Sequence, residues 1–191
     1  MKLVRKEINM YLDLTPELTN YGYDNFSIIG RALALATNFE KTFKIYLLAL
    51  STKYKTIFLK QITEFKKIKN HNDLSEFTNV VNKISFDKAI KIVTTLLPDT
   101  PEVNQIQEQL LKAKNARNYI AHDLCIGYYN NIEKADYREI LLEEIKEKLM
   151  LIIQCTLGLE IAISIFNQEP IYIGIEKRSK EILEWATEIC E

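Results

Sequence analysis

Arg117, Asn118 and His122 fall within the stretch NARNYIAHDL, Asn115 to Leu124, in a segment that otherwise reads as helix. Together these side chains suit RNA cleavage. RNA carries its own nucleophile, the 2′-OH, so a strand can be cut without a metal once protons move and phosphate charge is balanced. Histidine moves protons near neutrality because its ordinary pKa is about 6.5. A guanidinium offers a phosphate a fixed fork of donors, and an amide can orient either partner. Spacing sets the difficulty. On an ideal helix Arg117 and His122 are about 140° apart and do not share a face, whereas Asn118 and His122 do. The length of Arg117, or fraying after Ala121, would bring the two together. The reading without chemistry makes Arg117 a helix-end cation paired with Asp123 or the last carbonyls, and His122 a cap.

The elements that must position this trio are helical. From about Asn25 to Tyr54 a long periodic segment carries Ile29, Leu33, Ala36, Phe43, Leu47, Leu50 and Tyr54 at alternating three and four spacing. Asp24 or Asn25 is expected to cap it. The stretch TKYKTIFLKQITEFKKIKN continues that helix or begins another, ending near the polar turn Asn70 to Asp73. Ser85 caps a short helix holding Ala89, Ile92, Val93, Leu96 and Leu97, which stops at Pro98. Thr100-Pro101-Glu102 then supplies an N-cap, a proline at the first helical position and an early acid. That helix carries Ile106, Leu110, Ala113, Tyr119 and Ile120 towards His122. Gly127 and Asn130-Asn131 mark a turn, and a last long helix runs from about Lys134 to Phe166. Residues Glu169 to Glu176, EPIYIGIE, read as a loop or one short strand, followed by a terminal helix from Glu176 to Cys190.

With 191 residues, no repeat and no linker, the chain is expected to form one domain, 1–191, with a real core. Hydrophobic residues at 47% and charged residues at 27% are ordinary for a globular protein. Only 5 Gly and 4 Pro argue against an all-β fold with its many tight turns. The expected architecture is all-α, an antiparallel four-helix-type bundle with additional short helices. A net charge of −1 advertises neither nucleic acid nor membrane, so any such partner must meet a local patch. The 3 cysteines, Cys125, Cys155 and Cys190, lack C-x-x-C spacing and suit a cytoplasmic location. The apolar run Leu149 to Phe166 carries Gln154 and Glu160, which favours a core helix over a membrane span.

A local patch is present. Lys53, Lys55, Lys60, Lys66, Lys67 and Lys69 face only Glu64 within residues 53–69, with Tyr54, Phe58 and Phe65 interleaved. Lys60, Lys66, Lys67 and Lys69 could hold an RNA backbone while the rings stack on bases. A solvated lysine face above aromatic core contacts fits the same pattern. Glu40 falls on the apolar seam of the long helix, where a carboxylate either pairs with Arg117, tunes His122, or reaches water at the seam's edge. Glu160 has the same choices. Tyr119 could stack on a base or lie in the core. With His71, His122 and scattered cysteines, no metal-ligand set is visible, and no Gly-rich phosphate loop or G-x-S-x-G elbow implies a cofactor or a hydrolase triad.

The sequence Arg117-Asn118-Tyr119-Ile120-Ala121-His122 resembles the motif of the HEPN superfamily (higher eukaryotes and prokaryotes nucleotide-binding). There an Arg, commonly followed by a polar residue, precedes a His by four to six positions late in a helix. The resemblance implies a four-helix bundle that dimerises across the motif helices, so that two histidines and two arginines surround one phosphate. It implies a metal-independent endoribonuclease of toxin–antitoxin, phage-defence or RNA-processing type, in which Arg117, Asn118 and His122 are catalytic. RNA, a second copy of the chain, and a cognate antitoxin or regulatory protein are the implied partners, and no membrane. In one subgroup a Tyr that can be nucleotidylated stands two residues after the His. Here that position is Leu124, so that form of regulation is not implied. The other expectation is a noncatalytic helical module that binds RNA, a nucleotide or a protein through the same face.

Overall fold

The computed structural model describes residues 16–96, 100–124, 137–171 and 174–188. These residues form seven α-helices, and no strand occurs among them. The fold is all-α. Its helices are α1 (Pro16–Lys53), α2 (Lys55–Gln61), α3 (Leu74–Lys83), α4 (Phe86–Leu96), α5 (Pro101–Asn118), α6 (Tyr137–Asn167) and α7 (Ile175–Thr187). A single 3₁₀ turn, Phe65–Lys67, lies between α2 and α3, and α5 continues into a π-helical turn, Tyr119–Asp123.

Helix α1 begins well before the expected start, so Asp24 and Asn25 lie inside it and do not cap it. Pro16 opens the helix, at a position where its missing N–H costs nothing. The buried stripe runs through Ile28, Ala32, Ala36, Phe39, Phe43, Leu47 and Leu50. This is one residue round from the expected seam at its N-terminal half. Phe39 is fully buried, and Leu33, expected inside, is 42% exposed. Tyr54, at the other end, is also exposed, because the helix breaks there before α2 starts.

Helix α6 packs against α1, α5 and α7, while α3 and α4 lie on α1. Leu141, Ile145, Leu149, Ile152, Ile153 and Leu159 of α6 are buried at the centre of that arrangement. By length and composition alone the segment Glu139–Asn167 could also cross a membrane. Glu160, on the same helix, is exposed. At the far end Arg31 of α1 donates to the Ala186 carbonyl at 3.3 Å and to that of Glu188, fastening the last turn of α7.

Two aromatic groups organise the other side. Phe86 meets Phe39 and Phe43 edge-on, with ring centroids 5.4 and 5.7 Å apart. Phe58, Phe65 and Phe77 form the second group at 5.0 and 5.9 Å. Phe58 and Phe65 are therefore core residues and are not available to stack on bases. The lysines between them, Lys60, Lys66, Lys67 and Lys69, are exposed.

Local capping follows the sequence. The Thr100 hydroxyl accepts from the Val103 N–H at 3.4 Å, with Pro101 next to it at the start of α5. Asp73 caps α3 by accepting from the Ser75 N–H at 2.9 Å. The Ser85 hydroxyl accepts from the Lys88 N–H at the start of α4. Because α5 carries the motif, its cap bears on the site. Thr100→Ala should lower stability by about 1 kcal/mol, read as an earlier urea midpoint at unchanged slope.

Burial pushes the Cys155 thiol up to about 11, so it is a protonated, weakly nucleophilic group. Cys125, Cys190, Gly127 and Asn130-Asn131 lie outside the described residues, as does the expected start of α6 at Lys134. Residues 169–171 of the expected loop or strand are irregular.

Candidate active site at the end of α5

Arg117 lies in the last turn of α5 and does not pair with Asp123. It donates from Nη2 to the Glu40 carboxylate, 77 residues earlier in the chain, and from Nη1 to the Asn118 side-chain oxygen at 3.1 Å. Glu40 is thus neither isolated in the seam nor merely reaching water. Its other oxygen accepts from Lys44 at 3.2 Å, one helical turn further along α1. Arg117 and Glu40 are only 19% and 23% exposed, so water screens the pair incompletely.

The guanidinium lies over the Phe86 ring, its central carbon 5.6 Å from the ring centroid. This is cation–π distance. Phe86 thus joins the two ends of the site. It packs on Phe39, the neighbour of Glu40 in α1, and it supports Arg117. Phe86 was legible as the first residue after the Ser85 cap, three before Ala89, but nothing in the sequence ties it to Arg117.

The arginine is only part-satisfied. Its Nε is buried without a hydrogen-bond partner. A guanidinium has five N–H groups. Two are engaged by Glu40 and Asn118, and one is the buried Nε–H. Among the described residues, one N–H on each terminal nitrogen has no hydrogen-bond partner. A buried orphan donor costs free energy and is uncommon in folded proteins.

The helix changes character immediately after Asn118. From Tyr119 to Asp123 it is a π turn, closed by the Leu124 N–H donating to the Tyr119 carbonyl. A π turn bonds residues five apart, so it aligns positions that an α-helix would separate, and it is frequent at functional sites. The step from Arg117 to His122 crosses this widened turn. A π turn takes up more residues per turn than an α-helix, so it narrows the angle of about 140° that would separate the two positions on an ideal α-helix. Ala116, Ile120 and Leu124 stay buried throughout, so the turn remains seated on the core.

His122 itself is exposed, and no hydrogen bond reaches it among the described residues. Asn118 links the two chemistries. Its oxygen is held by Arg117, and its NH₂ group has no hydrogen-bond partner among the described residues.

Tyr119 is half-buried against the core, and the Lys148 ammonium covers its ring at 4.4 Å from the centroid. A base cannot occupy that face while Lys148 does. The lysine-rich segment at 60–69 is held on different elements from the trio. Its one acid, Glu64, pairs with Lys88 of α4, and that ammonium keeps the Glu64 carboxyl below its ordinary range. No cluster of three or more His, Cys, Asp or Glu that could hold a metal occurs among the described residues.

Comparison with protein-family models, with curated proteins and with solved structures finds no match to this chain. The site contains a fixed cation, an orienting amide and an exposed imidazole on one helix end.

Proposed function

We propose that the chain is a metal-independent endoribonuclease of the HEPN type, acting in the cytoplasm as a toxin or phage-defence effector. The observation that carries this reading is the Glu40–Arg117–Asn118 network followed by the π turn that presents His122. In the reaction the 2′-OH of RNA attacks the adjacent phosphorus and the 5′-oxygen leaves. His122 transfers a proton in that step. Arg117 places its two remaining N–H groups on the phosphate oxygens, where charge builds in the transition state. Asn118 orients the phosphate or the imidazole through its amide N–H groups. A homodimer across the α5 ends would bring a second His122, so one imidazole serves as base and the other as acid. The four-helix HEPN-like arrangement belongs to this same reading.

Glu40 is a positioning residue, since it acts through Arg117. Glu40→Gln should lower the cleavage rate at saturating RNA by about tenfold, the worth of roughly 1.4 kcal/mol for a hydrogen bond to a charged group. Glu40→Asp should recover part of the loss, whereas a purely structural role would show as a shifted melting curve and no kinetic difference.

The second reading, a noncatalytic module binding RNA or a partner through this face, is favoured by the exposure of His122, to which none of the described residues hydrogen-bonds. The two readings separate on one comparison. The wild-type chain should cut a mixed RNA pool and His122→Ala should not. Equal cutting by both would overturn the nuclease assignment, and firm binding without any cutting would favour the module.

A further inference from the structure

A cavity of about 390 Å³ opens beside Glu40, between α1 and α3. Its size is within the range of small-ligand sites. Thr37, Glu40, Lys41, Lys44, Ile45 and Leu48 of α1 recur at three and four spacing, so one face of that helix forms its wall. The opposite wall comes from Thr78, Val81 and Asn82 of α3. The α1 wall is graded along its length. Thr37, Glu40, Lys41 and Lys44 make a polar end, and Ile45 and Leu48 make an apolar end. From Thr37 to Leu48 the helix advances about 16 Å, enough for one or two nucleotides of a strand.

Two exposed side chains here are unpaired among the described residues. Lys41 makes no ion pair and Asn82 makes no hydrogen bond among the described residues, and both are exposed. Lys44 is taken by Glu40, and Glu40 is shared with Arg117. The polar end with Arg117 therefore holds three cations against one carboxylate, an excess that suits phosphodiesters. Asn82 offers a donor and an acceptor side by side, which is what a base edge requires. The aliphatic end offers a surface for the base's face.

We infer that this cavity is a nucleotide subsite of a single RNA strand, next to the phosphate held by Arg117. Lys41 holds the neighbouring phosphate, Asn82 meets the base edge, and Ile45 and Leu48 lie against the base. This rests on the ribonuclease reading for its position but not for its binding chemistry. Glu40 has two duties in consequence. It anchors Arg117, and it marks the border between the cut phosphate and the flanking nucleotide.

The test separates binding from cleavage. A 2′-O-methyl RNA tetranucleotide has no nucleophile and cannot be cut. Titrated into the ¹⁵N-labelled chain, it should move the amide signals of Thr37, Lys41 and Asn82 saturably. Lys41→Ala and Asn82→Ala should each weaken that binding by about fivefold, the worth of roughly 1 kcal/mol for one hydrogen bond. Lys177→Ala, which removes the same charge from the exposed face of α7, should leave it unchanged. Inorganic phosphate alone should move these signals far less. Signals that do not move, or that move equally with phosphate, or affinity equal in all variants, would overturn the subsite. Binding as expected by a chain that cuts no RNA would support the subsite and remove the nuclease reading. Cutting without binding here would do the reverse.

Discussion

His122→Ala is expected to lower RNA cleavage by about 10²–10⁴-fold, the usual contribution of a positioned proton-transfer group. The fold should be untouched. His122 is exposed, and among the described residues nothing bonds to it, so its loss removes no contact from the core. Surface substitutions of this kind usually shift stability by less than about 0.5 kcal/mol. Single-turnover cleavage alongside a thermal melt therefore gives two independent readings. A collapsed rate with an unchanged melt assigns chemistry to the imidazole. A rate within threefold of wild type would leave His122 as a surface residue on an unusual turn.

Arg117→Lys keeps the charge and removes the fork. An ammonium on a flexible stem cannot hold Glu40 and Asn118 and still present two parallel donors to a phosphate. It also loses the flat face that lies over Phe86. The expected loss is about 10²–10³-fold in turnover, comparable to removing a donor from an oxyanion site. Affinity for uncleavable RNA should fall much less, because the positive charge remains. Stability should fall by about 1 kcal/mol, since the ammonium keeps the charge opposite Glu40 but weakens a hydrogen bond that is largely shielded from water. Equal losses in turnover and in affinity would instead mean that Arg117 only binds.

Much of the frame was legible because its signals are local. Thr100-Pro101 starts α5, and Ser85 starts α4. The three and four spacing from Ile29 to Leu50 marks the body of α1. Helix α3 is harder to read. Asp73 gives it a start, but only Phe77 and Val81 are buried along it, too few to establish a period. The start of α1 was misjudged because Asp24 and Asn25, good caps in isolation, sit in a segment that nothing interrupts.

The site was legible in its members and not in its geometry. Glu40 stands out as a carboxylate on an apolar seam, and its pairing with Arg117 was one of three options that sequence allowed. The choice among them is made by packing 77 residues apart. Phe86 supports Arg117 only because α4 crosses α1 at Phe39 and Phe43. The π turn is the least legible feature. No residue in Tyr119–Asp123 demands it, and the buried Ile120 and Leu124, four apart, would suit an α-helix equally well. The interleaved rings near Lys60 to Lys69 show the opposite case. Their pattern fitted RNA stacking and core packing equally, and burial of Phe58 and Phe65 decides for the core.

The most direct test of the central claim is the chemistry of the cut ends. The wild-type chain is incubated with a mixed RNA pool in EDTA, and the products are analysed for their termini. Cleavage by 2′-OH attack predicts 2′,3′-cyclic phosphate on one fragment and 5′-hydroxyl on the other, at a rate that EDTA does not change. Fragments ending in 3′-hydroxyl and 5′-phosphate, or cutting abolished by EDTA, would contradict an Arg117–His122 mechanism.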